Sequence, residues 1–127
     1  MRKIKFRFYS EIHNEMISWD KINRNHLHHY LSGKIDTVKS MQFTGLKDKN
    51  RKEIYEGDII KGVGVTSYNK PLIRRVAFDD ASARFGLSDV NGNITFEPLK
   101  WISFPLEIIG NIYENQELIS KTPTHEH

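Results

Sequence analysis

The sequence contains no cysteine and no long apolar run, and both absences narrow what the protein can be. Without cysteine there is neither a disulfide framework nor a thiolate for catalysis or metal binding, which suits a reducing cytoplasm. No stretch approaches the length of a membrane span, and the opening MRKIKFRFYSE lacks the uninterrupted apolar segment of a signal peptide. We therefore expect a cytoplasmic protein with no membrane partner.

Recognisable catalytic and cofactor motifs are also missing. The serines lack the strand-turn-helix elbow that presents a nucleophile. Two sets of side chains are candidates for a metal ion, the imidazoles of His13, His26, His28 and His29 and the carboxylates of Asp58, Asp79, Asp80 and Glu97. The histidines meet no fixed ligand spacing, a turn explains Asp58 better than a metal does, and Asp79-Asp80 is typical of the start of a loop. The sequence predicts no catalytic residue, cofactor or metal site, and a metal-dependent hydrolase is kept as an alternative.

The chain has 127 residues, of which 38% are hydrophobic and 28% charged, as in an ordinary globular domain. Its net charge of +3 is unevenly distributed. Residues 1–50 carry ten Lys or Arg and five Asp or Glu, a net of +5, whereas residues 51–127 carry nine and eleven, a net of −2. Such a split is compatible with an anionic partner such as nucleic acid, with contact between copies of the chain, or with a merely solvated surface.

The N-terminal segment alternates apolar and basic residues with the period of a β-strand. Apolar residues at positions 4, 6 and 8 alternate with cations at positions 3, 5 and 7, so the two kinds lie on opposite faces. Residues 11–14 predict a turn and residues 16–19 a returning strand, which together make a hairpin. Residues 20–31 are ambiguous and compatible with a short helix.

The rest of the chain is divided into short segments of strand character by Gly and Asn turns. Residues 72–78 predict a strand that contributes Ile73, Val76 and Phe78 to the core, and the Asn91-Gly92 pair predicts a tight hairpin. This pattern predicts a mainly β protein with some α+β character, in which an N-terminal β-hairpin subdomain joins a small SH3-like barrel. The expected boundaries are 1–45 for the hairpin and insert, 46–119 for the barrel and 120–127 for a flexible tail.

The most informative stretch is residues 41–60, MQFTGLKDKNRKEIYEGDII. A wholly polar turn at residues 47–52 separates an extended run from the apolar pair Ile54 and Tyr55. Gly57 then offers a backbone position free of Cβ constraints, and the Asp58 carboxylate can accept hydrogen bonds from nearby amides. The stretch predicts a β-hairpin that feeds a barrel strand.

Residues 44–58 resemble the signature of the YopX family of phage and prophage proteins. A second block, residues 108–115, resembles the ending of the same family, and residues 5–7 resemble its opening. The resemblance implies a small β-rich phage protein made in a bacterial host, and it implies no particular reaction. Its structural signature falls on Thr44, Gly45, Gly57, Asp58, Gly110, Asn111 and Tyr113.

One departure from the family pattern lies in the signature turn, where Arg51 stands at a position usually occupied by glycine. A non-glycine residue at positive φ costs on the order of 1 kcal/mol. Either Asn50 takes the left-handed conformation instead, or the turn is shaped differently.

Two functional hypotheses follow, neither of them catalytic. The first is a self-associating protein-interaction module, because a small barrel is not expected to cover the whole apolar face of the hairpin, formed by Ile4, Phe6, Phe8 and Trp19. The second is a nucleic-acid-binding accessory protein of the phage, whose cations neutralise phosphates. The candidate phosphate-binding residues are Lys3, Lys5, Arg7, Arg74 and Arg75. A phage or host protein is a further candidate partner.

Overall fold

The computed structural model describes residues 3–22, 24–32, 36–67, 70–89, 97–98 and 105–120. Within these ranges the chain folds into two antiparallel sheets with little helix, which confirms the mainly β prediction. None of the helices in the described part is long and apolar enough to cross a membrane.

The first sheet contains four strands and the second contains five, and the helices are short. The first sheet is built from β1 (Phe6–Ser10), β2 (Glu15–Ile17), β3 (Val38–Lys47) and β4 (Glu53–Tyr55). The second is built from β5 (Asp58–Ser67), β6 (Lys70–Asp79), β7 (Arg84–Ser88), β8 (Glu97–Pro98) and β9 (Leu106–Asn111). A 3₁₀ helix (Trp19–Lys21), α1 (Arg24–Leu31) and α2 (Glu117–Ser120) complete the described elements.

The first sheet has the order β2-β1-β3-β4, with β1 in its interior. The register of Phe8 with Ile17 and with Ser40 confirms the predicted N-terminal hairpin and adds β3 on its other side. Directly opposed residues on neighbouring strands share a face of the sheet. The period-two alternation of β1 therefore places its successive side chains on opposite faces of this sheet. Phe8 is completely buried, whereas Ile4 precedes the strand and is 59% exposed.

The insert after the hairpin covers the apolar face of β1. The ring of Tyr30 on α1 lies 5.2 Å from the ring of Phe8, and Trp19 of the 3₁₀ helix lies 6.1 Å from Phe6. The sequence analysis expected the barrel or another copy to cover this face. The structure shows a third arrangement, in which Trp19 and Tyr30 of the same chain pack on it.

The second sheet has the order β8-β7-β6-β5-β9, and its core lies around β5, β6 and β7. Ile60, Val76 and Leu87 pack together with Ile54 from the first sheet, so one cluster spans both sheets. Val76 is fully buried as predicted, but Phe78 is 39% exposed, and its placement in the core was wrong. Phe78 instead packs edge-on against its cross-strand neighbour Phe85.

The signature turn connects the outer edge of β9 to the first sheet. The Lys49 amide donates to the Leu106 carbonyl at 2.8 Å, and the Ile108 amide donates to the Asp48 carboxylate at 3.0 Å. These bonds satisfy backbone groups that an open sheet edge would leave unpaired. The two sheets divide between Tyr55 and Asp58, and the SH3-like description and the subdomain boundary at residue 45 stay predictions.

Two sequence predictions fall on residues outside those described. The Asn91-Gly92 turn is one of them, although β7 and β8 on either side do pair antiparallel, with Leu87 opposite Glu97. The tail is the other, because the description ends at residue 120.

Candidate functional site

Asp48 organises the signature turn. Its Oδ1 accepts hydrogen bonds from the amides of Asn50 and Lys52 at 2.8 and 2.9 Å, and its Oδ2 accepts the one from Ile108. Burial acts to raise the pKa of this carboxyl, but the three amide donors outweigh burial and hold the pKa below its usual value. Asp48 was not among the residues singled out from the sequence, because its third donor comes from β9.

Asp58 joins the two sheets from a buried position. One carboxylate oxygen accepts the Tyr55 amide at 2.8 Å, which confirms the predicted turn role, and the other pairs with the Arg7 guanidinium at 2.6 Å. Burial raises the pKa of Asp58, while Arg7 and the Tyr55 amide oppose that rise. Gly57 precedes it at a φ of 89°, where a Cβ would come within 3.3 Å of the Met41 sulfur.

The closing block forms a second turn centred on Asn111. The Asn111 side-chain oxygen accepts the amides of Tyr113 and Glu114 at 3.0 and 2.8 Å. A Cβ on Gly110 would lie 2.6 Å from the Asn115 side-chain oxygen, so only glycine fits there without displacement. Tyr113 then stacks on Tyr9 of β1 with ring centroids 5.0 Å apart, which ties the chain end to the first sheet.

Thr44, Gly45 and Arg51 shape the hairpin between β3 and β4. The Thr44 hydroxyl donates to the Ile54 carbonyl at 2.8 Å, across an irregular register that includes Gly45 at a φ of 90°. Arg51 itself takes the left-handed conformation, with a φ of 69°. The alternative in which Asn50 takes its place was therefore wrong.

The signature residues thus account for turns, sheet edges and the junction between sheets. The polar side-chain groups of Thr44, Asp58 and Asn111 are bonded within the chain, and Tyr113 stacks on Tyr9, so these residues have structural roles. A candidate binding site has to be sought elsewhere on the surface.

Such a site lies beside the signature, in a cleft of about 530 Å³ between the N-terminal hairpin and β4. This volume falls within the range of about 300–1,000 Å³ typical of ligand sites. The lining combines aromatic, apolar and charged side chains: Lys5, Arg7, Met16, Ser18, Trp19, Asp20, Glu53 and Tyr55.

Each of the two cations in the cleft contacts one aromatic ring and one carboxylate. The Lys5 ammonium lies 5.0 Å from the centroid of Phe43 and pairs with Glu53 at 2.5 Å. The Arg7 guanidinium lies 4.8 Å from the centroid of Tyr55 and pairs with Asp58. Both cations are therefore neutralised within the chain.

The phenol of Tyr55 borders the Lys5–Glu53 pair. Burial, together with the nearby Glu53 carboxylate, raises the pKa of Tyr55 to about 12. Tyr55 stays neutral at physiological pH, and its hydroxyl donates a long bond of 3.4 Å to Glu53. It serves the cleft as an aromatic wall with a polar end.

Trp19 and Asp20 stand at the other side of the cleft. Trp19 is half-buried, and Asp20 is exposed. The Ser18 hydroxyl donates to Asp20 at 2.8 Å, and this bond, with the nearby cations Lys21 and Lys5, holds the pKa of Asp20 below its usual value. Asp20 is therefore ionised across the physiological range.

The structure does not bring the five predicted phosphate-binding cations onto one surface. Lys5 and Arg7 face the cleft and are paired, whereas Lys3 is exposed ahead of β1. Arg74 and Arg75 are consecutive residues of β6 in the other sheet, so their side chains leave opposite faces of that strand.

The four predicted interface residues also differ in accessibility. Phe8 is fully buried and Phe6 is half-buried beneath the insert, to which the half-buried Trp19 itself belongs, so Ile4 is the most accessible of the four. Ile12, at the tip of the hairpin, is 68% exposed and was not singled out from the sequence.

The candidate metal ligands are not gathered into a site in the described ranges. Those residues contain no group of three or more His, Asp or Glu side chains placed to hold an ion. The rings of His28 and His29 lie 4.0 Å apart on α1, as neighbouring residues of one helix.

The sequence alone did not predict the cleft. Lys5, Arg7 and Trp19 were named for other reasons, and Glu53, Tyr55 and Asp20 were not assigned to any site. The available signal was the pairing of charged and aromatic residues within the signature, but only the sheet register shows which of them face the N-terminal strand.

Fold and site together define a small two-sheet β protein with a mixed aromatic and charged cleft. A family model described as YopX protein matches residues 5–120, and the chain belongs to this family. A search of curated proteins gave no match. Among solved structures, protein EF1440 from Enterococcus faecalis is similar, with a TM-score of 0.64 and 24% identity over 94% of this chain and 99% of that one. This likeness concerns the fold alone.

Proposed function

We propose that this protein is a non-catalytic protein-interaction module that associates with itself. The observation that carries the proposal is the cleft, which is large enough for a partner's side chains. Its two cations are already neutralised, while the half-buried Trp19 and the exposed Asp20 also line it. Mixed aromatic and polar linings of this kind are typical of protein contacts.

Two oppositely charged surfaces support self-association in particular. The signature turn presents four exposed cations, Lys47, Lys49, Arg51 and Lys52, because the Asp48 carboxylate between them is turned inward. The lining of the cleft adds the exposed Asp20 carboxylate, whereas Glu53 is already paired with Lys5. The basic turn of one copy and the Asp20 carboxylate of another are complementary, and in a symmetric dimer each surface would be used twice.

Sedimentation velocity at micromolar concentration tests the proposal. We expect a concentration-dependent assembly that weakens at high salt and that Ile4→Ser or Ile12→Ser disrupts without loss of fold, since both side chains are exposed. Phe8→Ser is unsuitable because Phe8 is fully buried. A strictly monomeric species across the concentration range would contradict self-association.

Nucleic-acid binding is the second candidate, and the exposed cations of the signature turn favour it. In this proposal Lys3, Arg74 and Arg75 are further candidate contacts on separate surfaces, whereas phosphates would have to displace Glu53 and Asp58 to reach Lys5 and Arg7. A gel shift on DNA and RNA at several salt concentrations is the measurement. Loss of each phosphate contact should lower the salt slope by roughly 0.9 log units on a duplex. No binding at low salt would eliminate this candidate.

A further inference from the structure

The two cations that line the cleft, Lys5 and Arg7, are held in the same way. Lys5 is held between the Phe43 ring and the Glu53 carboxylate, and Arg7 between the Tyr55 ring and the Asp58 carboxylate. Each arrangement combines attraction to the negative face of a ring with an ion pair. Each of the two cations that line the cleft is thus held by one ring and one carboxylate.

Trp19 and Asp20 form a third ring and carboxylate combination in the same cleft. Within the described residues Asp20 has a hydrogen bond from Ser18 but no ion pair, and no cation lies over the Trp19 ring. Tryptophan is the most favourable ring for a cation, and the low pKa of Asp20 keeps its carboxylate charged. Trp19 and Asp20 thus provide a ring and a carboxylate suited to a cation, and no cation of the described residues occupies them.

The charges around the cleft also favour a cationic guest. Lys5 and Arg7 are cancelled by Glu53 and Asp58, which leaves the Asp20 carboxylate as the uncompensated charge among the lining residues. Lys21, next along the chain, opposes this attraction, but it is exposed and free to turn into solvent. The apolar surface of Met16 lies in the same lining and can cover an aliphatic stem.

We propose that Trp19 and Asp20 bind an arginine side chain of a partner protein, with the guanidinium stacked on the Trp19 ring and paired with the Asp20 carboxylate. Arginine fits better than lysine because its planar group stacks on rings and bonds a carboxylate with two N–H groups. The inference rests on the proposed interaction function and names the chemistry of the partner at the cleft.

Titration of the full chain with a short peptide, N-acetyl-Gly-Arg-Gly-amide, tests the site by NMR. The Trp19 indole N–H signal is assigned by comparison with Trp19→Phe. We expect a saturable shift of this signal with the arginine peptide, and a weaker or absent one when citrulline, which is isosteric and uncharged, replaces arginine. Asp20→Asn should weaken binding by about fivefold, the equivalent of one exposed ion pair. The matched control Asp80→Asn removes an exposed carboxylate far along the chain and should bind as the parent does.

Equal shifts with the arginine and citrulline peptides, or unchanged affinity in Asp20→Asn, would overturn the inference. Tighter binding of a lysine peptide or of a small ammonium ion would overturn its assignment to arginine. Sedimentation separates this inference from the proposed function. A monomer that binds the arginine peptide supports the site and contradicts self-association, whereas an assembly indifferent to Asp20→Asn supports self-association and contradicts the site.

Discussion

The signature turns and the cleft lie side by side, and they treat polar groups in opposite ways. In the turns, Asp48, Asp58 and Asn111 direct their oxygens inward, where backbone amides bond them. In the cleft, by contrast, the lining includes the half-buried Trp19 and the exposed Asp20. The most recognisable residues of this chain therefore stabilise its fold, while the surface suited to binding is formed by less distinctive residues.

The largest expected effect is at the buried pair. Asp58→Ala leaves the Arg7 guanidinium without its partner and also removes the acceptor of the Tyr55 amide, so we expect a loss of about 3–5 kcal/mol in unfolding free energy. Urea denaturation measures it. A double-mutant cycle with Arg7→Met should show strong coupling, since removing both charges leaves neither one unpaired. A loss below about 1 kcal/mol for Asp58→Ala would contradict the stabilising role assigned to the signature residues.

The second largest effect is expected for Asp48→Ala, a loss of about 2–3 kcal/mol in unfolding free energy, because three amide donors lose a charged acceptor. The pH dependence has a definite sign. Since the folded-state pKa is lowered, the stabilisation is fully present above the unfolded-state value of about 3.9 and is lost as the pH falls through the folded-state pKa. The stability difference between the parent and Asp48→Asn should therefore shrink in acid. The exposed control Asp80→Asn should not reproduce this trend.

Arg51→Gly tests the backbone of the signature turn alone. With φ at 69°, arginine is in a conformation that glycine adopts without a Cβ penalty, so stability should stay the same or rise by up to about 1 kcal/mol. Thermal unfolding of the two proteins is sufficient. A clear loss of stability would mean that the Arg51 side chain makes a contribution larger than the backbone strain.

The Lys5–Glu53 ion pair is chemically like the Arg7–Asp58 pair but is more exposed, at 21% and 33% of the two side chains. Solvent screening should limit Glu53→Gln to a loss of about 0.2–1 kcal/mol. The effect should diminish at high salt, unlike that of Asp58→Ala. Equal costs for the two pairs would show that burial does not separate them.

Asp20→Asn should have the smallest effect on stability, within about 0.5 kcal/mol, because the side chain is exposed. Circular dichroism during thermal unfolding is the measurement. A larger loss would indicate that Asp20 is a structural residue and would weaken its assignment as a binding group.

Features that depend on residues close together in the chain follow from the sequence alone. The alternation in β1 predicted a half-buried strand, and the polar run at residues 47–52 predicted a turn. The turn role of Asp58 was equally accessible, since its amide donor is Tyr55, only three residues away. These features follow from local geometry, in which side-chain period and turn chemistry suffice.

The places where those elements meet depend on contacts between residues far apart in the chain. Arg7 and Asp58 are 51 residues apart and the Asp48–Ile108 bond spans 60, so no local pattern identifies either pair. Alternation showed that the cations of β1 share a face, but it did not show that this face lies against β4 and is partly buried. Strand order and register, fixed by packing across the whole chain, turned predicted surface cations into paired residues and placed Trp19 beside them in one cleft.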